Sequence, residues 1–391
     1  MTTFVPGNAV ELLRSGNEYF PALIAAVGEA RREAWLEAYL FADDEWGQRV
    51  ADALIGAAQR GVKVRVLVDG WGARHYLSPM LERKLVDGGV QLLKYRPDIA
   101  PWNFRSNRLR RLHRKLAHVD GRIGFVGGIN IIDDMHTPGH KPPRVDFAVR
   151  VRGPVLAPIV RTMQRVWAIV EISQLRSRSV RLFPDTMATQ PAGSQIAAFA
   201  IRDNLRHRND IELAYLAAIE EAETEILIAT AYFFPSSVFR HALMRAAARG
   251  VRVTLLLQAR VEYRLLHWAS RALYGQLLVG NVDINEYHRS FLHAKVAVID
   301  GRWATVGSSN NDPYSFLMAR EAILFVLDAD FAQKLRAELL EMIDNGSRSV
   351  PPEKWSHRSR LAKAVSWIAY GIVRVSMGVL RYGGDEWWRG K

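Results

Sequence analysis

One segment of this chain occurs twice, and that repetition constrains the fold more than any other feature. The first copy, HRKLAHVDGRIGFVGGIN, runs from His113 to Asn130; the second, HAKVAVIDGRWATVGSSN, runs from His293 to Asn310. His113, Lys115, Asp120, Gly127 and Asn130 map onto His293, Lys295, Asp300, Gly307 and Asn310 at a constant offset of 180. A single His-x-Lys carries little information. Two copies that agree at five positions, spacing included, require a fold with two equivalent units, each presenting the same side chains.

HRKLAHVD and HAKVAVID have the mostly apolar character of short strands. Side chains alternate along a strand, so His and Lys, two apart, are expected on one face. Asp120 and Asp300 lie an odd number of residues from both and are expected on the opposite face or in the Asp-Gly turn, supporting the site from there. If the copies pack together, two imidazoles, two ammonium groups and two amides (Asn130, Asn310) converge. Such a pocket suits a phosphodiester. The lysines neutralise its non-bridging oxygens, and the Asn side chains and turn N–H groups donate to them. One His can attack phosphorus while the other protonates the departing oxygen.

The flanking sequence repeats as well. EYFPALIAAVGEARR, EAWLEAYLF, DDEWGQRVADALIGAAQRG and VKVRVLVDG read as helix, strand, helix, strand, and Gly61 suits the end of the second helix. LAYLAAIEEAETE, ILIATAYFFP, SSVFRHALMRAAARG and VRVTLLLQ follow the same order. Tyr39 lines up with Tyr232 and Arg60-Gly61-Val62 with Arg249-Gly250-Val251, at offsets of 193 and 189. The drift implies a diverged duplication of an α/β unit. The expected domains are 1–190 and 209–345, separated by a linker at 191–208 and followed by a C-terminal segment, 346–391. The main insertion falls in RPDIAPWNFRSNRLRRL. There Arg96, Arg105, Arg108, Arg110 and Arg111 surround Trp102 and Phe104. This stretch reads either as a grip on phosphates or as a solvated basic loop.

The doubled motif resembles that of the phospholipase D superfamily, His-x-Lys-x4-Asp-x6-Gly-Ser/Gly-x-Asn, with Gly128 in the first copy and Ser308 in the second. The resemblance implies two similar α/β/α halves with the active site at their interface, a covalent phosphohistidine on one His and acid–base chemistry on the other. It implies no metal and no cofactor. It assigns His113, Lys115, Asp120, His293, Lys295 and Asp300 to catalysis, and Asn130, Asn310 and Ser308 to phosphate binding or support. It adds an acidic residue downstream of each motif to orient a His: Glu321 in the second half and Asp146 in RVDFAVRVRGP as its counterpart. Which His is the nucleophile stays open, because the motifs are symmetric. RGVKVRVLVDGWG, ATAYFFP and NNDPYSF extend the likeness to bacterial cardiolipin synthases over about residues 8 to 345, and most to the B-type branch, which lacks two N-terminal transmembrane helices. That implies transfer of a phosphatidyl group to phosphatidylglycerol, from phosphatidylglycerol or phosphatidylethanolamine. Both half-sites lie on one chain, so a monomer is expected to suffice. Trp102 and Trp303 are candidates for excluding water.

Charge and the C-terminus bear on the partner. A formal net charge of +13 points to a polyanion, either nucleic acid or an anionic membrane surface. The absence of cysteine excludes disulfides and cysteine metal sites, and no secretory signal is apparent. Ala364 to Leu380 is an apolar run interrupted by Arg374, after a basic segment and before Trp387-Trp388. About 17 residues is short for a bilayer span. An amphipathic helix at the membrane interface is the favoured reading, with packing on the protein and spanning as the others. The protein is therefore expected at the cytoplasmic face of a bacterial membrane, held peripherally, with nucleic acid a lesser candidate as partner. His136 and His140 share a Gly-Pro-rich loop without further ligands at metal spacing. His118 is expected to be structural, and His207, His241, His267 and His288 have no duplicated context.

Overall fold

The computed structural model describes residues 2–97, 111–174, 190–203, 207–260, 264–310, 319–357 and 359–379. The first half comprises β1 (Val5–Arg14), α1 (Ser15–Gly28), β2 (Glu33–Ala38), α2 (Glu45–Gln59), β3 (Lys63–Asp69), α3 (Pro79–Asp87), β4 (Gln91–Tyr95), β5 (Arg111–Leu112), β6 (Lys115–Val119), β7 (Ile123–Gly127), β8 (Arg144–Val145), β9 (Phe147–Arg152) and α4 (Leu156–Ser173). The second comprises β10 (Gln195–Arg202), α5 (Asp210–Glu220), β11 (Glu225–Thr230), α6 (Ser237–Ala248), β12 (Arg252–Gln258), α7 (Arg264–Val279), β13 (Val282–Tyr287), β14 (Phe291–Leu292), β15 (Lys295–Ile299), β16 (Trp303–Gly307), β17 (Ala319–Leu327) and α8 (Ala329–Gly346). β18 (Ser347–Ser349), α9 (Pro352–Ser356) and α10 (Arg360–Val379) follow.

Both halves build the same sheet. In the first the order is β4-β3-β2-β6-β7-β9-β1, and in the second it is β13-β12-β11-β15-β16-β17-β10. In each, the three strands joined by helices pair in parallel and the remainder pair antiparallel. This is the expected α/β pattern, because a helical crossover returns the chain in the same direction. β1 pairs antiparallel with β10 and fuses the halves into one sheet. Residues 195–202, expected in a linker, therefore form a central strand bonded to β1 and β17. β1 itself also lies ahead of the first helix that the sequence suggested. Its alternation is broken at Gly7 and Asn8, and its worth lies in pairing that no local pattern announces.

Strands β2, β6, β11 and β15 are buried at every position, as sheets covered on both faces require. On one face a single apolar core runs across both halves beneath α4 and α8, from Trp35 and Met163 to Leu324 and Leu335. On the other face each half has its own core, under α1 to α3 in one and α5 to α7 and α10 in the other. Helix starts are set by caps. Asp44 accepts from Gly47 N at 2.9 Å, Ser236 from Phe239 N at 3.1 Å and Asp328 from Phe331 N at 2.9 Å. Gly61 follows the end of α2 at φ +88°, a conformation that favours glycine.

Helix α10 packs on the body through one face and is apolar on another. Ser366, Ala369 and Val373 are buried against the body, where Tyr370 meets Phe234 with ring centres 5.3 Å apart. Leu361, Val365, Ile368, Ile372 and Val375 form a separate, exposed apolar stripe with Trp367 beside it. Among the described residues no helix is long and apolar enough to cross a membrane. The cluster around Trp102 and Phe104, and Trp387-Trp388, lie outside the described residues. Arg111, read with that cluster, turns inward and stands 3.6 Å from the buried carboxylate of Asp69.

Candidate active site

The two His-x-Lys segments sit at the junction of the halves, and each is tied to the opposite half. β5 leads into His113 and pairs with β17; His113 N donates to Arg320 O at 3.1 Å. β14 leads into His293 and pairs with β8; His293 N donates to Val145 O at 2.8 Å. The backbone before each histidine is further held by an acceptor at the end of the neighbouring parallel strand. Leu112 N donates to Asp69 Oδ2, and Leu292 N donates to Gln258 Oε1, both at 2.8 Å.

The carboxylates cross over. His113 Nδ1 is 2.9 Å from Glu321 Oε1, and His293 Nδ1 is 2.6 Å from Asp146 Oδ2. The acid downstream of each motif thus orients the histidine of the other. Asp146 and Glu321 are structural equivalents despite spacings of 33 and 28 from their motif histidines. Gly128 N bonds Phe147 O and Ser308 N bonds Ala322 O, each at 2.9 Å, which puts the acids at the same register. The additional residues lie in the 132–143 loop.

The Ser/Gly difference in the motif has a steric cause. Ser308 Oγ donates to Glu321 Oε2 and accepts from Ala322 N at 3.1 Å. A Cβ at Gly128 would stand 2.3 Å from Asp146 Oδ1, so the shorter acid occupies the space that the serine fills in the other half.

Burial and mutual charge govern the titratable groups. The Asp146 carboxyl is buried, which favours its neutral form, but the charge of Lys295 and the hydrogen bond with His293 outweigh this and hold it below the ordinary carboxylate range. Burial pushes Lys115 down to about 7; Glu321 opposes the shift and the nearby Lys295 reinforces it. Burial also lowers Lys295 and His113, and it takes His293 down to about 3, assisted by Lys295. Both imidazoles are therefore neutral near pH 7; a carboxylate holds each Nδ1, and Nε2 of His293 also has Lys295 Nζ at 3.2 Å. Lys295 Nζ lies against the His293 ring, 2.8 Å from Nδ1. Lys115 Nζ donates to His113 O at 2.5 Å and stands over the Tyr39 ring at 5.4 Å. The Tyr39 ring also meets that of His113 at 4.8 Å, an aromatic wall that the duplicated Tyr39/Tyr232 pair could have signalled.

Asp120 and Asp300 do not belong to this cluster. Each sits past the far end of its strand, five residues and roughly 17 Å from the lysine that begins it. Asp120 accepts from Arg31, Arg32 and Glu33 N at 2.8–2.9 Å; Asp300 accepts from Glu223, Thr224 and Glu225 N at 2.8–3.0 Å. They clamp the turn before β2 and β11, from a left-handed conformation (φ 54° and 50°) that Asp tolerates better than most residues. Expected to support the site, they anchor the scaffold instead. Trp303 is buried at that same distant end against Tyr215 and Phe325, so it cannot shield the site from water. Asn130 is buried and accepts from Leu40 N at 3.2 Å through Oδ1; Asn310 is buried at the equivalent position. His118 is wholly buried and stacks on Trp35.

Comparisons with known proteins give the family and the fold. The family model described as cardiolipin synthase, PLD-like domain, matches residues 23–137 and 215–343. Cardiolipin synthase B of Escherichia coli K12 is 39% identical over 375 residues, covering 94% of this chain and 88% of that protein. The cardiolipin synthase of Oceanobacillus iheyensis is 31% identical over 336 residues, 86% of this chain and 68% of that one. Among solved structures, phosphatidylserine synthase of Haemophilus influenzae Rd KW20 superposes with a TM-score of 0.66 at 13% identity, covering 95% and 94% of the two chains. That likeness speaks for the fold.

Proposed function

The chain belongs to the cardiolipin synthase family of phospholipase D-like enzymes, and from that premise we propose that it transfers a phosphatidyl group from a phospholipid donor to phosphatidylglycerol. One observation carries the reading. The crossed pairs His113–Glu321 and His293–Asp146 unite the halves into one site with two oriented, neutral imidazoles beside two lysines. Two-step displacement at phosphorus needs that set of groups.

His113 Nε2 attacks the donor phosphorus, and the P–O bond to the leaving alcohol breaks as His293 gives that oxygen a proton. The phosphodiester's negative charge, arriving between Lys115 and Lys295, offsets the ammonium field on His293, so protonation of His293 accompanies substrate binding. Glu321 stabilises the positive charge that develops on His113. His293 then takes the proton from the acceptor hydroxyl, whose oxygen attacks phosphorus and releases His113. Asn130, Asn310 and Ser308 support the phosphate-binding turns. One chain holds both histidines, so a monomer suffices.

The exposed stripe of α10 faces away from the core and is apolar over about four turns. With a net charge of +13, this supports peripheral attachment to an anionic membrane, proposed here on the cytoplasmic side. The test uses purified protein in mixed micelles with phosphatidylglycerol, with and without phosphatidylethanolamine, and mass spectrometry of the lipids. Cardiolipin is the expected product. Phosphatidic acid alone would make the protein a hydrolase. No lipid change, with cleavage of DNA, would replace the reading by a nuclease.

A further inference from the structure

The two lysines of the site are held in different ways. Lys295 has the Asp146 carboxylate at 3.5 Å. Lys115 is also buried, and its Nζ donates to His113 O at 2.5 Å. Among the described residues no carboxylate forms an ion pair with it. An ammonium taken out of water needs compensation from the groups around it. At Lys115 a ring contributes to that compensation. Nζ stands over the Tyr39 ring, 5.4 Å from its centre, within the distance at which the negative face of an aromatic ring attracts a cation.

The ring is fixed in that position. Tyr39 directly follows β2 and is half-buried. Gly72 packs so closely on it that a Cβ there would stand 2.5 Å from a ring carbon. Gly72 is itself tied down, its N–H donating to the buried Asp69 Oδ1 at 2.8 Å. The Tyr39 ring also meets the His113 ring at 4.8 Å, with the planes inclined by 60°. One side chain from outside the doubled motif thus touches both members of the first His-x-Lys.

We propose that Tyr39 is a positioning residue of the first half-site: its ring holds the Lys115 ammonium charged and in place for the phosphate, and limits rotation of the His113 imidazole. The inference rests on the transferase reading above and deepens it. Around Lys115, Glu321 on β17, Asp146 before β9 and Asp69 at the end of β3 favour the charged form; burial and Lys295 on β15 oppose it, and burial prevails. His113, neutral near pH 7, lies beside it. The ring acts on the same side as the carboxylates, so without it the ammonium gives up its proton at lower pH.

The experiment follows kcat/KM for cardiolipin formation in phosphatidylglycerol micelles between about pH 5 and pH 9, for the parent, Tyr39→Phe and Tyr39→Leu. The falling limb above neutrality should keep its position in Tyr39→Phe and move about 0.5 to 1.5 pH units lower in Tyr39→Leu. The activity lost on replacing Tyr39 by Leu should then be about three- to thirtyfold greater at pH 8 than at pH 5. A general loss of packing would lower the whole profile and leave the limb in place, which overturns the proposal. So does a limb that moves to higher pH, as entry of water around Lys115 would cause. A Tyr39→Phe profile that matches Tyr39→Leu would assign the effect to the hydroxyl and overturn the role of the ring. A limb that persists in Lys115→Met belongs to another group, with the same consequence. Should Tyr39→Leu not fold, phenylalanines with increasing ring fluorination at position 39 keep the shape and weaken the π face. The limb should then step downward along the series, and one fixed position throughout would refute the proposal. A parent that makes phosphatidic acid alone overturns the transferase reading instead, and the same limb is then read from hydrolysis.

Discussion

The two halves present the same His-x-Lys on the same strand of equivalent sheets, yet several of the groups that hold the pair differ. His113 is oriented by a glutamate steadied by Ser308; His293 is oriented by an aspartate packed over Gly128. The backbone before His113 is held by the charged Asp69, and that before His293 by the neutral Gln258. Arg114, between His113 and Lys115, forms a buried pair with Glu37 at 2.5 and 2.9 Å, where the second half has Ala294. Phe291 meets the His293 ring at 5.7 Å and stacks on His140, where His113 has Tyr39. Duplication supplies two equivalent imidazoles in unequal surroundings, which is what the proposed division into nucleophile and proton carrier needs.

The sharpest way to break this comparison is to remove each histidine in turn. His113→Ala and His293→Ala should each lower cardiolipin formation by about 10³-fold or more, as loss of a nucleophile or a general acid does. A donor with a nitrophenolate leaving group needs no proton. With it, His293→Ala should still release a burst and leave label on the protein, while His113→Ala should give neither. A burst from His113→Ala would reverse the roles of the halves.

Next come the crossed carboxylates. Asp146→Asn and Glu321→Gln should each cost about 10²-fold in kcat, roughly 2.7 kcal/mol of barrier. Asp146→Asn should be the more severe, because Asp146 also lies 3.5 Å from Lys295. Steady-state kinetics checks the order; equal losses would mean that the surroundings of the two histidines are functionally alike.

A pH profile is a subtler probe. Lys115 is pushed down to about 7, so its ammonium form, which the phosphate requires, is lost as pH rises through that value. kcat/KM should fall toward tenfold per pH unit above about pH 7. Lys115→Met should lower the plateau and remove that limb. A flat profile to pH 9 would show that Lys115 stays charged.

The smallest effect on rate belongs to the two aspartates that share their motif but not their site. Asp120→Asn and Asp300→Asn should leave kcat nearly unchanged and destabilise the fold by about 1–3 kcal/mol each, since several backbone N–H groups lose a charged acceptor. Both carboxyls are held below their ordinary value: burial raises them, but backbone hydrogen bonds more than compensate. Their contribution is therefore present above about pH 4 and fades as pH falls through the lowered folded value. Thermal melts of parent and variants between pH 3 and pH 7 would show it, and a large loss of kcat would return these residues to the active site.

Much of this was legible in the residues. The doubled motif required two like units, and alternation and helical spacing placed the helix and strand runs at Glu18–Gly70 and Leu213–Gln258. Those signals are local, and burial imposes them wherever a strand is covered on both faces. The motif also identified His113, Lys115, His293 and Lys295 as one chemical set. Tertiary structure decided the rest, because each remaining feature depends on what meets across the junction between the halves. Gln195–Arg202 joins the sheet through partners nearly 190 residues before it and more than 100 after it, beyond any local pattern. Equal spacing made Asp120 and Asp300 look like members of the site, but a strand of five residues carries them to its other end. Glu321 and Asp146 could be picked from sequence as acids, yet their exchange between halves follows from β5 docking on β17 and β14 on β8. A cavity lined by His140 and by Arg264 likewise joins a loop of the first half to the start of α7 in the second, a juxtaposition that neither segment encodes alone.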